Sequence, residues 1–209
     1  MIFLFLWGRT GSGKSTSVRL LEKIAETKGW SCKSFNDYIF LRKMFETDRS
    51  NRFRATDHDG FEVLDLSVYE VAIRSLIEQI DDYQPLHEPA LVTIEFTSNN
   101  YAEVLNLFSN TLLQKAYFLF ITADLSTCLE RVNHRTLHPT TKDDYYVPEI
   151  VLLQHFPSPY MPPYIGKERM KLINNMDTLE KLEEQIRSAL ADILSQERQF
   201  EQVAELSIH

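Results

Sequence analysis

Cysteine is scarce in this sequence, and the two residues present are not spaced for metal binding. Cys32 and Cys128 lie far apart in a chain of 209 residues. They do not form the paired spacings that hold a zinc ion, nor the dense pattern of a disulfide framework. Isolated cysteines of this kind are usually small buried hydrophobic residues. We therefore expect neither a disulfide nor a cysteine-held metal.

The sequence also lacks a long hydrophobic run and an excess of basic residues. No stretch approaches the roughly 18 apolar residues that span a bilayer, and the apolar N-terminus has no basic segment before it. The 30 acidic residues outnumber the 22 basic ones, and the net charge of -8 repels polyanions. We therefore expect no membrane span, no nonspecific binding of nucleic acid and a cytoplasmic location.

Apolar runs alternate with helical patterns along most of the chain. Hydrophobic residues make up 44% and charged residues 25% of it, values typical of a globular domain. Five runs predict strands: MIFLFLW, WSCKSF, ALVTIEF, AYFLFI and RMKLINN. Strands separated by helices form a largely parallel sheet, with ligands at the carboxyl ends of the strands. We predict one α/β domain over residues 1–197 and a C-terminal tail over residues 198–209.

One short stretch, GRTGSGKST, fits the phosphate-binding template GxxxxGK[ST]. Its three glycines let the backbone turn N–H groups toward an anion. The surroundings fit as well, because a predicted buried strand precedes the loop and a helical pattern begins at Lys14. Lys14 would contact the β- and γ-phosphates, and Ser15 would offer a hydroxyl to Mg²⁺. We predict nucleotide binding by the whole loop: Gly8, Arg9, Thr10, Gly11, Ser12, Gly13, Lys14, Ser15 and Thr16.

Together with this loop, three further segments resemble the P-loop kinases of small molecules, the group of nucleoside, nucleoside-monophosphate and shikimate-type kinases. These segments are SFNDY, TADLSTCLERVNHR and LINNMDTLEKLEEQI. The resemblance implies a three-layer α/β/α fold with a five-stranded parallel sheet, and ATP and Mg²⁺ as ligands. It also implies an acceptor-binding insertion, at about residues 38–84, and a lid over the phosphates, at about residues 136–147.

Two carboxylates near predicted strand ends are candidates for catalysis. Asp37 follows the second strand, where uridine-kinase-like and deoxynucleoside-kinase-like enzymes place a base facing the acceptor hydroxyl. Aspartate at such a position is also a common helix cap. Glu95 ends the third strand, where it could hold Mg²⁺, contact the acceptor as the base, or be structural. The family often has aspartate at the position of Glu95, which leaves the Mg²⁺-holding role of Glu95 open. The choice of base between Asp37 and Glu95 also stays open.

Arg131 and Arg135 lie four residues apart, on one face of a predicted helix. In the family, arginines at such positions reach the transferring phosphoryl group from the lid, although solvated ion pairs would also account for them. Asn175 follows the last strand, where family members pass the chain over the adenine ring, but a plain turn also uses asparagine. We predict catalytic roles for Arg131 and Arg135 and a nucleotide contact for Asn175.

The insertion is the region expected to bind the acceptor. Its aromatic residues could stack on a base or form a core. Five basic residues could recognise phosphate or belong to a charged surface: Arg42, Lys43, Arg49, Arg52 and Arg54. The sequence predicts an ATP-dependent phosphotransferase acting on a small acceptor, with a nucleoside or nucleotide favoured. A nucleotide-dependent switch acting through a protein partner and a polynucleotide end kinase are the alternatives.

Overall fold

The protein is described by a computed structural model covering residues 1–56, 60–96, 98, 100–138, 149 and 166–206, with the backbone alone for residues 200–206. Seven strands lie in this part of the chain: β1 (Ile2–Trp7), β2 (Ser31–Asn36), β3 (Phe53–Ala55), β4 (Phe61–Val63), β5 (Ala90–Glu95), β6 (Ala116–Thr122) and β7 (Met170–Asn174). The α-helices with defined bounds are α1 (Lys14–Glu26), α2 (Tyr38–Thr47), α3 (Ser67–Asp81), α4 (Tyr101–Leu105), α5 (Asn110–Lys115), α6 (Leu125–Leu137) and α7 (Leu179–Leu206).

Five of these strands form one parallel sheet in the order β2-β5-β1-β6-β7. The predicted five-stranded parallel sheet is therefore confirmed. β1 lies at its centre and pairs in parallel with β5 on one side and with β6 on the other. The loop that follows β1 consequently emerges between the carboxyl ends of two neighbouring strands, where ligands bind in open α/β sheets.

Helices cover both faces of the sheet, which gives three layers. Because successive side chains of a strand point to opposite faces, Leu4 and Leu6 belong to one core and Phe5 and Trp7 to the other. The first core is shared with α1 and α7, and the second with α3, α4 and α5. A sheet buried on both faces needs apolar residues at nearly every position, as in the run IFLFLW of β1.

The predicted insertion has its own small core, built from α2, α3 and a β3–β4 hairpin that the sequence did not predict. Tyr38 and Phe53 are each 8% exposed, and Phe61 is 7% exposed. Phe61 stacks on Tyr38 with ring centroids 5.7 Å apart. These aromatic residues are therefore core residues of the insertion, the second of the two alternatives above.

Local residues decide two helix boundaries. α4 ends at Leu105, and α5 begins only at Asn110. The break arises because the hydroxyl of Ser109 accepts the N–H of Leu112 at 3.2 Å and starts a new helix. α7 continues to Leu206, so a helix occupies most of the predicted tail, whose residues 198–206 include neither glycine nor proline.

The remaining structural expectations have mixed outcomes. Residues 136 and 137 of the predicted lid belong to α6, whereas residues 139–147 lie outside the described part of the chain. Both cysteines are free thiols, and Cys128 is fully buried. Among the described residues, every helix is too short or too polar to cross a membrane.

Candidate active site

The loop between β1 and α1 is packed so tightly that it requires glycine, as Gly8 and Gly13 illustrate. Gly8 has a φ of 147°, and a Cβ there would lie 2.3 Å from the carbonyl oxygen of Ile121. Gly13 has a φ of 103°, and its Cβ would lie 2.2 Å from Nδ2 of Asn175. Left-handed backbone combined with such close approach is possible only without a side chain. The loop thus has the tight curl that a phosphate cradle at a helix N-terminus requires.

Lys14 lies folded over this loop. Its Nζ donates to the carbonyl oxygens of Gly8, at 3.0 Å, and of Arg9, at 3.4 Å, and lies 4.0 Å from Oε1 of Glu95. The side chain is 6% exposed. Burial lowers the pKa of Lys14, the charge of Glu95 opposes that change, and the charge of Arg135 adds to it. A positive charge is therefore held out of water where the γ-phosphate of a bound nucleotide is expected.

Ser15 and Glu95, the two residues predicted to hold metal, meet beside this lysine. The hydroxyl of Ser15 lies 3.1 Å from each carboxylate oxygen of Glu95. Glu95 reaches this place because it ends β5, whose register with β1 pairs it with Leu6. Its side chain is 14% exposed. The contact therefore brings together one residue from the phosphate loop and one from the neighbouring strand.

This pair of residues fits Mg²⁺. The ion prefers oxygen ligands and usually takes only one or two carboxylates from the protein, the rest being water and substrate phosphates. One hydroxyl and one carboxylate meet that requirement. Within the described ranges, no group of three or more His, Cys, Asp or Glu side chains could hold a metal.

Asp37 lies beside the pair, at the start of α2, and is 5% exposed. Its side chain makes no capping hydrogen bond; instead Oδ1 of Asn36 accepts the N–H of Tyr38 at 2.7 Å. Asp37 therefore occupies the N-cap position of α2 without a capping hydrogen bond from its side chain, and its catalytic role remains a prediction. Burial, with the charge of Asp37 as the second cause, raises the pKa of Tyr69 to about 12. The charge of Asp37 also acts on Lys14, so it lies between the phosphate loop and the insertion.

The two arginines of α6 serve different neighbours. Nη2 of Arg131 donates to the carbonyl oxygen of Asn175 at 3.0 Å, in the turn after β7. Arg135 is close enough to Lys14 for its charge to contribute to the lowered pKa of the lysine. Arg135 thus lies toward the phosphate loop, whereas one end of the Arg131 guanidinium is bound to the turn after β7.

Asn175 contacts the phosphate loop directly. Its Nδ2 donates to the carbonyl oxygen of Ser12 at 2.7 Å, and the residue is 7% exposed. The sequence predicted a nucleotide contact for Asn175 near the adenine ring; that remains a prediction, and the bond to Ser12 is an addition to it.

The basic cluster of the insertion is largely neutralised by carboxylates. Arg42 pairs with Glu46 at 2.8 Å and Arg52 with Asp48 at 2.9 Å. Arg54 pairs with Glu62 across the β3–β4 hairpin. Three of the five basic residues thus have acidic partners, which favours a charged surface over a phosphate-binding cluster for these three.

Comparison with known proteins identifies solved structures of similar architecture. No family model matches the chain, and no curated protein matches it. A gluconokinase from Sinorhizobium meliloti 1021 is 20% identical, with 95% of both chains covered and a TM-score of 0.55. Kti12 from Chaetomium thermophilum, in complex with ADP-AlF3, is 15% identical over 91% of this chain and 98% of its own, with a TM-score of 0.59.

A third solved structure is the APS kinase CysC of Mycobacterium tuberculosis in complex with AMPPNP and APS. It is 18% identical over 93% of this chain and 97% of its own, with a TM-score of 0.54. The chain has the P-loop kinase fold. At these identities the likeness establishes the fold, and the roles of individual residues in this P-loop kinase fold remain predictions.

Sequence reasoning missed two contacts that support the phosphate loop of this P-loop kinase fold. One is the hydrogen bond of Asn175, which was predicted only as a nucleotide contact, to Ser12, 163 residues away. The other is that of Tyr101, whose hydroxyl accepts the N–H of Gly8 and donates to the carbonyl of Phe96, each at 3.5 Å. Tyr101 also stacks on Trp7, with ring centroids 4.6 Å apart. No local pattern announces either contact, because each joins segments distant in sequence.

Replacing Lys14 by methionine should change how stability depends on pH. The folded state lowers the pKa of Lys14 from 10.5, so between the lowered value and 10.5 the unfolded chain binds more protons. The free energy of unfolding of the wild-type protein should therefore rise with pH relative to Lys14→Met, by at most about 1.4 kcal/mol per pH unit. Chemical denaturation of both proteins from pH 8 to pH 10 measures this difference.

The matched control is Lys23→Met, which removes an exposed lysine from the same helix. It should follow the pH dependence of the wild-type protein, since that side chain stays in water. A difference between the wild-type protein and Lys14→Met that stays constant across the pH range would contradict the buried-charge account.

Proposed function

We propose that this protein is an ATP-dependent phosphotransferase that moves the γ-phosphoryl group of ATP to a hydroxyl of a small acceptor. The observation that carries the proposal is the meeting of Lys14, Ser15 and Glu95 at the phosphate loop, with Ser15 3.1 Å from Glu95 and Lys14 4.0 Å from it. Nucleotides are present in the solved Kti12 and APS kinase structures, which supports nucleotide binding by the same fold here.

The phosphate loop would bind the phosphoryl donor. Its backbone N–H groups and Lys14 would hold the β- and γ-phosphates, while Ser15 and Glu95 would hold Mg²⁺. Bound Mg²⁺ would neutralise part of the phosphate charge. Arg135 would add a second positive charge near Lys14, where negative charge accumulates on the equatorial oxygens during transfer.

Asp37 would act as the base for the acceptor. The acceptor oxygen would attack the γ-phosphorus as the bond to the β-phosphate oxygen breaks, ADP would leave, and the hydroxyl proton would pass to the Asp37 carboxylate. Two observations favour Asp37 over Glu95 as the base. Glu95 contacts Ser15 and lies near Lys14 at the phosphate loop, whereas Asp37 lies at the start of α2, where the insertion begins, and its charge acts on Tyr69 of the insertion.

The favoured acceptor is uncharged, a nucleoside in preference to a nucleotide. The pairing of Arg42, Arg52 and Arg54 with carboxylates weakens the case for a phosphate-binding insertion. Breaking such pairs to bind a phosphorylated acceptor would leave carboxylates beside the incoming negative charge. Small-molecule kinases among the similar structures, including a shikimate kinase in complex with shikimate, support a small hydroxyl-bearing acceptor in general terms.

Phosphoryl transfer should depend on an acceptor and on Lys14. Incubation with Mg²⁺ and γ-labelled ATP, against separate pools of nucleosides, nucleoside monophosphates, sugars, hydroxy acids and short oligonucleotides, should move label into one small-molecule pool. The Lys14→Met variant should lose this transfer, because the charge that contacts the transferring group is gone. Thin-layer or mass-spectrometric analysis of the products identifies the acceptor class.

Each other outcome of this experiment points to a different function. Free phosphate released at one rate in every pool would contradict the proposal and favour an NTPase acting through a protein partner. Label on the oligonucleotides would instead favour a polynucleotide end kinase, and sensitivity of that transfer to salt would support it.

Asp37→Asn should lower kcat with the identified acceptor by a factor of about a hundred or more, because the amide cannot take up the hydroxyl proton. The KM for ATP should change little, since Asp37 lies on the acceptor side. Steady-state kinetics on Asp37→Asn and on the control Asp82→Asn, which changes an exposed aspartate just after α3, make the comparison. If Asp37→Asn keeps wild-type kcat, the base assignment is wrong and Glu95 becomes the candidate.

A further inference from the structure

The hydrogen bond from Asn175 to the phosphate loop carries an inference about how that loop keeps its shape. We propose that Asn175 is a positioning residue that fixes the phosphate cradle through the carbonyl group of Ser12, independently of any contact with the nucleotide base. The inference rests on the proposed function in one respect: it takes the loop to be the place where the phosphates bind.

Both backbone polar groups of Asn175 make hydrogen bonds. Its N–H donates to the carbonyl oxygen of Thr122 at 2.8 Å, which extends the pairing of β6 with β7 by one residue. Its carbonyl oxygen accepts from Nη2 of Arg131 at 3.0 Å. With both backbone groups engaged and the residue 7% exposed, its amide side chain has a fixed base from which to contact the loop.

The bond fixes one peptide unit of the loop. Nδ2 of Asn175 lies 2.7 Å from the carbonyl oxygen of Ser12, and Ser12 is fully buried. In a planar trans peptide the C=O and the following N–H point in opposite directions. A Ser12 carbonyl held toward Asn175 therefore turns the N–H of Gly13 away from Asn175, and this N–H is one of the donors at the start of α1.

The glycine at position 13 and the asparagine at position 175 depend on each other. A Cβ at Gly13 would lie 2.2 Å from Nδ2 of Asn175, closer than any real contact, so the amide can reach the loop only beside a glycine. Arg131 adds a further link, since it connects α6 to the backbone of Asn175. One chain of hydrogen bonds thus runs from α6 through Asn175 to the phosphate loop.

A base-free probe separates this role from an adenine contact. Tripolyphosphate with Mg²⁺ carries the phosphate groups of ATP without its base. Asn175→Ala should weaken binding of Mg²⁺-tripolyphosphate and of Mg²⁺-ATP by the same factor, about tenfold, the effect of losing one buried hydrogen bond. Isothermal titration calorimetry on both probes measures it, with Asn133→Ala, an exposed asparagine of α6, as the control that should match the wild-type protein.

A pH series on Asn175→Asp gives a second readout that a merely structural role would not change. The ionised carboxylate has no donor and faces the Ser12 carbonyl oxygen, so binding of tripolyphosphate at pH 8 should be weaker than wild type by roughly thirtyfold or more. Protonation at lower pH restores an O–H donor at this place. The difference in tripolyphosphate affinity between Asn175→Asp and the wild-type protein, measured at the same pH each time, should therefore narrow as the pH falls. For Asn175→Ala the corresponding difference should stay constant.

The outcomes distinguish failure of this inference from failure of the proposed function. Weaker binding of ATP with unchanged binding of tripolyphosphate would overturn the positioning role in favour of a base contact. Wild-type affinity of Asn175→Ala for both probes would overturn the positioning role as well. So would an affinity difference between Asn175→Asp and the wild-type protein that does not change with pH. If Asn175→Ala does not fold by circular dichroism, the pH series alone decides. A wild-type protein that binds neither probe would overturn the proposed function together with this inference.

Discussion

The ammonium group of Lys14 is kept out of water against the backbone of its own loop, and the rest of the site is arranged around that charge. Two carbonyl oxygens accept its hydrogen bonds and one carboxylate lies 4.0 Å away. Burying a charge costs free energy unless it is paired, and here burial remains the leading influence on the lysine pKa. A site that tolerates such a charge before a ligand arrives is preorganised for an anion, and a triphosphate supplies negative charge at the right place.

The sheet makes this arrangement possible by bringing distant segments to one edge. β1 delivers the loop, β5 delivers Glu95, and β2 leads directly into Asp37. Beneath the loop an aromatic cluster supports it: Trp7 is fully buried, stacks on Tyr101, and Tyr101 in turn contacts Gly8. Packing of this density resists the shifts that would move a phosphate-binding loop. Aromatic packing and the hydrogen bond from Asn175 therefore both support the loop.

What the sequence could reveal follows from how local each signal is. The three inner strands of the main sheet, β5, β1 and β6, were predictable because a strand buried on both faces is a continuous apolar run. The phosphate loop was predictable because its glycines, lysine and serine lie within nine consecutive residues. The meeting of Ser15 with Glu95 followed in turn, since the carboxyl ends of neighbouring parallel strands share one edge.

The features that were not predictable join segments far apart or depend on single side chains. The β3–β4 hairpin has strands of only three residues in a charged stretch, too short for an alternating pattern to stand out. The break between α4 and α5 depends on one serine hydroxyl. The ion pair of Arg54 with Glu62 forms only because the unpredicted hairpin brings them together. Tertiary contacts, rather than local preference, decide each of these.

We propose that Ser15 and Glu95 hold Mg²⁺ beside a nucleotide bound at Lys14. Calorimetric titration of ATP into the wild-type protein and Glu95→Gln, each with and without Mg²⁺, tests this most directly. We predict that Mg²⁺ tightens ATP binding by the wild-type protein and that Glu95→Gln loses this gain, on the order of tenfold. An equal gain from Mg²⁺ in both proteins, or no binding of ATP by the wild-type protein, would contradict it.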